Sequence, residues 1–484
     1  MTSRGILGWG AYLPARRLDR SAIASVAGGG GGTGTRAVAS YDEDATTMGV
    51  AAARLAMRGS TGAGAEASAG AAPTPWAPWT PRTLWFATTE PPYLDKTNAT
   101  AVHAALRLDP AVAAYDAVGS VRSALGALRA ACDSADPALA VAAGLRTGLA
   151  GGPDEASGGD AAAALLVGTG EHGPVLAELL AWASLSEEFL DRWRIPGDPA
   201  SRRWEERFGE GRYTALGAEA LDAALAQAGI APAGVTTLVV AGSAGPRAAK
   251  AIAVKAGIPP GRLASQLEEQ VGNPGAAQAA LLLAAALEAL SDGEETIVVL
   301  LNLSDGADAA VFRTTGALAG YRPARPVADQ LNQGLPISYG TYLRWRGLLR
   351  AEPPRRPAPS RTSAPAARRA LDFKFGLVGS VAPDGTVQLP PSPLDDGTRP
   401  MAETAGTIAA FTVDRLAYSP SPPVIFAVVD FDGGGRLPVE LTDADEADIA
   451  VGQRVEMTFR RLFTADGIHN YFWKARPIRQ GPAR

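Results

Sequence analysis

Two rhythms of apolar residues run along this 484-residue chain. Up to about residue 345, short apolar runs that fit buried strands alternate with alanine-rich stretches long enough for helices. The strand-like runs are residues 1–9 (interrupted by Gly5 and Gly8), 84–88, a segment ending near Asp116, 138–143, 161–167, 237–241 and 296–302. Helices are predicted over 118–131, 246–256 and 274–290, with a short one at 339–349. The more polar stretch 187–213 reads as a helical excursion. Strand, glycine turn and helix recur in both parts of this region, which predicts two similar α/β halves. After residue 400 the period changes to two. Five β candidates, 407–416, 424–431, 436–441, 454–462 and 468–475, are separated by turn signals such as Gly433-Gly434-Gly435 and Asp466-Gly467. Five short strands in so little chain predict a small barrel of the OB type.

Three stretches break the pattern. A glycine run at 28–34 and an Ala/Gly/Pro-rich segment at 59–81 read as surface loops, and the Pro/Arg-rich stretch 351–367 reads as an interdomain linker.

Composition narrows the possibilities. Hydrophobic residues make up 46% of the chain, enough for packed interiors, and its length predicts two or three domains. With 20% charged residues and a net charge of −5, no global field favours nucleic acid or an anionic membrane. No apolar run spans a bilayer and no leader pattern opens the chain, so a cytoplasmic location is expected. One cysteine, Cys132, excludes an intrachain disulfide, and three histidines make a histidine-rich metal site improbable.

The first part resembles the thiolase superfamily, specifically hydroxymethylglutaryl-CoA (HMG-CoA) synthases and ketoacyl synthase III enzymes. The resemblance is carried by Gly8-Trp9-Gly10-Ala11-Tyr12-Leu13-Pro14, by Thr88-Thr89-Glu90, by Gly159-Asp160-Ala161-Ala162-Ala163, and by Gly272-Asn273 before a long apolar helix. It implies a duplicated five-layer αβαβα fold over residues 1–345, a 346–370 linker, and a homodimer core. The last part resembles the acyl-CoA-associated OB-fold family that normally opens with a zinc ribbon: 371–400 as a degenerate ribbon segment and 401–484 as the OB domain.

The resemblance also assigns site positions. Enzymes of the superfamily place a cysteine at the start of a buried helix, where the helix dipole and free N–H groups stabilise a thiolate. Here that position is Val121, flanked by Ser120 and Ser123. Cys132 lies 11 residues further along, about 16 Å away at 1.5 Å per residue, and reads as a small buried hydrophobe. The family's histidine falls at Gly242 or Ser243, Asn273 matches its asparagine, and Glu90 matches the acid–base glutamate of HMG-CoA synthases. With cysteine and histidine both absent, a cysteine-dependent Claisen reaction is excluded. In the ribbon segment, Val381, Asp384, Pro393 and Asp396 stand where cysteines would, so no zinc is expected.

Arg122, at a helix N-terminus, needs an anion nearby, either a ligand phosphate or a group at a dimer interface. The arginines around the linker, including Arg344, Arg346, Arg355 and Arg356, read either as a solvated face or as a phosphate site for coenzyme A (CoA). Three functions remain open. The first is a non-condensing acyl-CoA-binding protein, working with a complete thiolase or acetyl-CoA acetyltransferase partner. The second is a cysteine-independent aldolase on a β-hydroxyacyl-CoA, with proton transfer by Glu90, Ser243 or Tyr339. The third is an OB-fold nucleic-acid binder using Phe459, Phe463, Tyr471, Phe472 and Trp473 as stacking platforms, against which the acidic run 443–448 argues. The first two share CoA thioester as ligand and no tightly bound cofactor. They are separated by whether the space around Val121 is open and lined by ionisable groups or filled.

Overall fold

A computed structural model describes residues 3–61, 80–243, 245–290 and 294–479. The segment read as a loop at 59–81 lies mostly outside the described residues.

The first 345 residues build one strand pattern twice. In the first half these strands are β1 (Arg4–Tyr12), β2 (Thr83–Thr88), β3 (Ala113–Val118), β4 (Ala138–Gly144) and β5 (Ala161–Thr169). In the second half they are β6 (Ala177–Ser186), β7 (Thr237–Gly242), β8 (Ile297–Leu303) and β9 (Gly306–Thr314). Parallel β2–β4, antiparallel β4–β5 and antiparallel β5–β1 in one half correspond to parallel β7–β8, antiparallel β8–β9 and antiparallel β9–β6 in the other. The halves join where β1 meets β6, at Gly5–Glu178 and Ile6–Ala177. β3 extends the first half beyond β2 and forms one edge of the nine-stranded order.

Helices complete the layers. α1 (Ala45–Arg58) covers the outer face of the first half. α2 (Ser123–Asp133) lies on its inner face. α3 (Glu206–Ala228) and α4 (Pro246–Lys255) cover the outer face of the second half, and α5 (Gln278–Glu288) lies between the halves, touching β1 and β5 on one side and β7 and β8 on the other. Three apolar clusters fill the spaces between these layers. This is the duplicated αβαβα arrangement expected. β4 and β5 are buried along almost their whole length, as strands between two helix layers must be, and their alanines let helices approach from both sides. Gly10 serves the same purpose in β1: a Cβ there would lie 2.3 Å from the Ala52 carbonyl oxygen and the Ala56 nitrogen of α1.

The structure differs from the sequence reading in three places. β6 and β9 were not expected as strands; their alanines dilute the alternation that marks a strand. The polar stretch from 187 is irregular as far as Glu205, apart from paired two-residue strands at Arg192–Trp193 and Arg202–Arg203, and its helix begins only at Glu206. Arg346 is not a linker residue. It ends the helix α6 (Tyr339–Trp345) and ion-pairs with buried Asp160, so it is unavailable to a phosphate.

The C-terminal strands β10 (Gly406–Asp414), β11 (Val424–Phe431), β12 (Arg436–Glu440), β13 (Arg454–Ala465) and β14 (Ile468–Pro477) pair in the order β12-β11-β10-β13-β14. A bridge between Leu441 and Ala475 closes them into a barrel. Phe459, Tyr471 and Trp473 lie in its interior and Phe472 packs on Phe373, so four of the five rings considered as base-stacking platforms serve packing. Between residues 378 and 400 a small three-stranded sheet precedes the barrel. Its two turns, at Val381–Gly385 and Pro393–Gly397, are joined by Ser380, whose hydroxyl donates to Asp395 at 2.8 Å and accepts from the Ser392 N–H.

The barrel is built into the first half. One apolar cluster runs from Tyr12, α1 and Phe86 through to Phe459 and Trp473. Along this seam, Arg460 is fully buried with Glu43 (3.0 Å), Asp443 (2.8 Å) and Asp42 (3.6 Å), and donates to the Tyr12 hydroxyl. Lys474 lies 2.9 Å from Asp42 and 2.7 Å from Glu440. Asp44, which caps α1 through the Thr47 N–H, also accepts from the Tyr471 hydroxyl at 2.8 Å. Burial opposes the charge on Arg460, but the surrounding carboxylates outweigh it and hold the guanidinium firmly protonated. Among the described residues, no helix is long and apolar enough to cross a membrane.

Candidate functional site

A cavity of about 570 Å³ opens at the carboxyl ends of β2, β3 and β7, beside the start of α2, and is lined in part by the irregular segment after residue 187. It brings together Glu90, Val121, Ser243 and Asn273, four positions that are far apart in sequence.

Val121 follows Gly119 and Ser120 in the turn from β3 into α2 and lines the cavity. Ser120 lines it too, and its hydroxyl bonds to the Asp305 carboxyl. The Ser123 hydroxyl is engaged with the Val118 carbonyl. Cys132 is buried further along α2, away from the cavity, and burial pushes its thiol up to about 12. None of His103, His172 or His469 lines the cavity.

Glu90 leaves the end of β2 with one carboxylate oxygen 2.7 Å from Arg194. Burial raises its proton affinity above that of an ordinary carboxylate, against the opposing pull of Arg194. Ser243 follows β7 and donates its hydroxyl to Asp191 at 2.7 Å, and the Tyr213 hydroxyl donates to the same oxygen at 3.1 Å. Asn273 is held as part of the framework: its amide donates to the Gly242 carbonyl at 2.9 Å and its oxygen accepts from the Gly275 N–H at 2.8 Å. Next to it, Gly159 comes so close to the neighbouring chain that a Cβ would lie 1.9 Å from the Val271 carbonyl oxygen, which accounts for the glycine that opens the Gly159-Asp160 motif.

Four positions assigned from sequence lie elsewhere or are engaged. All five donors of Arg122 are taken: Asp308 receives two, and Ser186, the Asp305 carbonyl and the Leu185 carbonyl receive the others. The anion that a cation at this helix start requires is thus Asp308, and no donor remains for a CoA phosphate. Arg355 is exposed on the linker and Arg356 pairs with Asp414 of the barrel at 3.1 Å; neither lines the cavity. Tyr339, weighed as a proton donor, is buried outside the cavity and donates to Glu155 at 2.7 Å.

The cavity also holds charge that the sequence reading did not foresee. Arg192 makes a two-pronged pair with Asp154 at 2.5 and 2.6 Å, Arg203 lies 3.7 Å from the same carboxylate, and Arg146 projects from the end of β4. Asp305, in a left-handed conformation (φ +51°) between β8 and β9, has its carboxyl raised by burial. Of these groups only Arg192 and Arg203 fall in the stretch between residues 187 and 213, whose density of Arg, Asp and Trp fits a charged helix as well as a loop that folds into a site.

A duplicated αβαβα fold with this cavity at its strand ends defines a thiolase-type domain, and the closed five-stranded barrel defines an OB domain. The comparisons agree. The family described as "ChsH2, C-terminal OB-fold domain" matches residues 398–460. The HMG-CoA synthase of Aeropyrum pernix is 28% identical over 361 residues, covering 72% of this chain and 95% of that protein. That of Methanopyrus kandleri is 25% identical over 360 residues, covering 72% and 98%. Among solved structures, HMG-CoA synthase complexed with CoA superposes with a TM-score of 0.57 at 17% identity, over 75% of this chain and 94% of that one. The 3-oxoacyl-(acyl carrier protein) synthase III, FabH, of Pseudomonas aeruginosa PAO1 gives 0.52 at 20% identity, over 65% and 98%. This chain therefore joins an HMG-CoA synthase- and FabH-like thiolase-fold domain to an OB-fold domain.

The zinc site that the ribbon resemblance would imply does not fit the residues present. Val381, Asp384, Pro393 and Asp396 supply no thiolate or imidazole, and Ser380 and Asp395 bond to each other across the two turns.

Proposed function

We propose that this chain binds a CoA thioester with its acyl end in the Val121 cavity and handles it without forming an acyl-enzyme. One observation carries the reading: Val121, to which the resemblance assigns the nucleophile position, lines a cavity that is open and lined by ionisable groups. Valine has no group that can be acylated. A structural neighbour of this fold holds CoA, and another, MvaS, holds 3-hydroxy-3-methylglutaryl-CoA.

The open cavity favours acid–base chemistry over a carrier role alone. On a β-hydroxyacyl-CoA, Glu90 would accept the hydroxyl proton as the Cα–Cβ bond breaks. The hydroxyl carbon leaves as a carbonyl, and the bonding electrons pass to the thioester as an enolate. A proton returned to Cα from the Ser243 side, where Asp191 orients the hydroxyl, would complete the shorter acyl-CoA. The raised proton affinity of Glu90 suits a base working near neutrality better than an exposed carboxylate would. The carrier reading remains the alternative, with a complete thiolase or acetyl-CoA acetyltransferase as partner. A homodimer is part of either reading. Edge strand β3 has only β2 as neighbour in its sheet and exposes Tyr115 and Val118, a row open to pairing with a second copy.

One experiment tests both levels. The protein is incubated with an acyl-CoA and with a β-hydroxyacyl-CoA, and protein and thioester products are weighed. Unchanged protein mass is expected; an acyl adduct on Ser120, Ser123 or Cys132 would refute the non-covalent reading. A shorter acyl-CoA plus a carbonyl compound, lost in Glu90→Gln, is expected from the aldolase reading. No product would leave the carrier role.

A further inference from the structure

Five carboxylates line the cavity: Glu90, Asp154, Asp191, Asp198 and Asp305. Three of them are ion-paired, Glu90 with Arg194 at 2.7 Å, Asp154 with Arg192 at 2.5 Å and Asp198 with Arg202 at 3.6 Å. Asp191 and Asp305 have no ion-paired partner among the described residues. Asp191 is occupied by two hydroxyls, those of Ser243 and Tyr213. Asp305 takes the hydroxyl of Ser120 and is otherwise exposed to the cavity.

The backbone of Asp305 is clamped in the turn between β8 and β9. Its carbonyl accepts from Arg122 at 2.7 Å and its N–H donates to the Tyr213 hydroxyl at 3.3 Å. Gly306, at φ +127°, completes the clamp: a Cβ there would lie 2.2 Å from the Leu185 carbonyl oxygen and 2.6 Å from the Arg122 guanidinium. Its bond to Ser120 sets the Asp305 carboxyl against the turn that carries Val121. Partial burial raises the proton affinity of this carboxyl, and Asp191 and Glu188 push the same way, against the Ser120 hydroxyl and Arg122. A carboxyl that ionises closer to neutrality can both give and take a proton. The two hydroxyls on this side are poorer donors. Each commits its proton to Asp191, and burial, with Asp191 beside it, holds the Tyr213 phenol well above its ordinary value. The aliphatic hydroxyl of Ser243 is a weaker acid still.

We infer that Asp305 is the catalytic acid–base group for Cα of the bound thioester. This rests on the proposed acid–base reading and names the proton donor on the Ser243 side. In the cleaving direction Glu90 takes the hydroxyl proton, the Cα–Cβ bond breaks, and its electron pair passes into the thioester enolate. Cα then takes the proton of the Asp305 carboxyl. Asp305 is left as a carboxylate and Glu90 as a carboxylic acid, and exchange with water at the open mouth restores both. In the opposite direction the Asp305 carboxylate withdraws a proton from Cα of the shorter acyl-CoA, a step that needs no carbonyl partner.

Acetyl-CoA in deuterated water isolates that step. The full-length chain is incubated with saturating acetyl-CoA and no carbonyl compound, and the mass of the recovered thioester is followed with time. Calorimetry gives the affinity of each variant, and a melting curve separates loss of the site from loss of the fold. The native chain is expected to load deuterium at Cα well above the protein-free rate. Asp305→Asn should do so at least ~100-fold more slowly, the low end of what general acid–base catalysis contributes, and Asp305→Glu, which keeps a carboxyl, should recover part of the rate. Loading by Asp305→Asn at the native rate would overturn the inference, and its loss in Glu90→Gln alone would assign Cα to Glu90 instead. A slowed Asp305→Asn that has lost affinity for acetyl-CoA in the same proportion would make Asp305 a binding group and also overturn it. A native chain that binds acetyl-CoA without exchanging it would overturn the inference and leave CoA binding standing. No binding of acetyl-CoA would overturn the underlying reading instead.

Discussion

Replacing Arg460 by methionine is expected to lower the stability of the folded chain by about 3–5 kcal/mol, the usual result of removing one partner from a buried ionic cluster. Arg460 is the cation among Asp42, Glu43 and Asp443 at the seam, and all four side chains are almost wholly buried. Methionine fills much of the volume but leaves three carboxylates with Lys474, Arg476 and Arg461 as the remaining nearby cations. Some of the carboxylates would then have to take up protons or draw in water, and either outcome weakens the seam. Urea denaturation of the two proteins measures the difference. A loss below about 1 kcal/mol, the scale of an exposed pair, would mean that the cluster is better hydrated than its burial indicates.

Cutting the chain after Leu349 is expected to do more than remove a domain. The apolar cluster of α1 and β2 continues into the barrel, and Arg54 reaches the Met457 and Ala402 carbonyls while pairing with Glu403. Without the barrel, the outer face of α1 would be exposed as a large apolar patch, which promotes association in water. The truncated protein should lose more than ~5 kcal/mol, the lower end of a domain's whole stability, or should aggregate. Light scattering and thermal melting would show this. A soluble truncated chain that melts at the native temperature would contradict it. A loss of ligand binding in such a truncation would therefore reflect loss of fold before it reflected any ligand contact by the barrel.

Much of this was readable from sequence where local pattern carries the physics. The OB strands were found from a period-two pattern and the turn signals between them, although β13 and β14 bury both faces where they meet the first half, and their ends fall within a few residues of the predicted ones. The buried strands near 84–88, 138–143 and 161–167 were found because burial on both faces leaves a continuous apolar run. β6 and β9 were missed because Ala177–Ser186 and Gly306–Thr314 mix small and polar residues without clean alternation. In the site, Glu90, Val121, Ser243 and Asn273 were legible because each sits beside a glycine turn or strand end that the resemblance fixes. Arg122 and Arg346 were misjudged for one reason: whether an arginine faces water or a buried carboxylate depends on Asp308 and Asp160, which are 186 residues away in each case. Arg146 and Asp191 carry no local signal, since their importance comes only from what the fold brings beside them.

The central claim is that this thiolase fold, with Val121 at the position the resemblance assigns to the nucleophile, still takes a CoA thioester in the cavity there. Calorimetric titration of the full-length chain with acetyl-CoA and a longer acyl-CoA tests it most directly. The account predicts saturable, one-site binding with Kd in the range of about 1–100 µM, a free energy of roughly −8 to −5 kcal/mol, weakened when Val121→Trp fills the cavity in a chain that still melts cooperatively. No detectable heat at millimolar acyl-CoA, with or without a catalytically complete thiolase present, would contradict it.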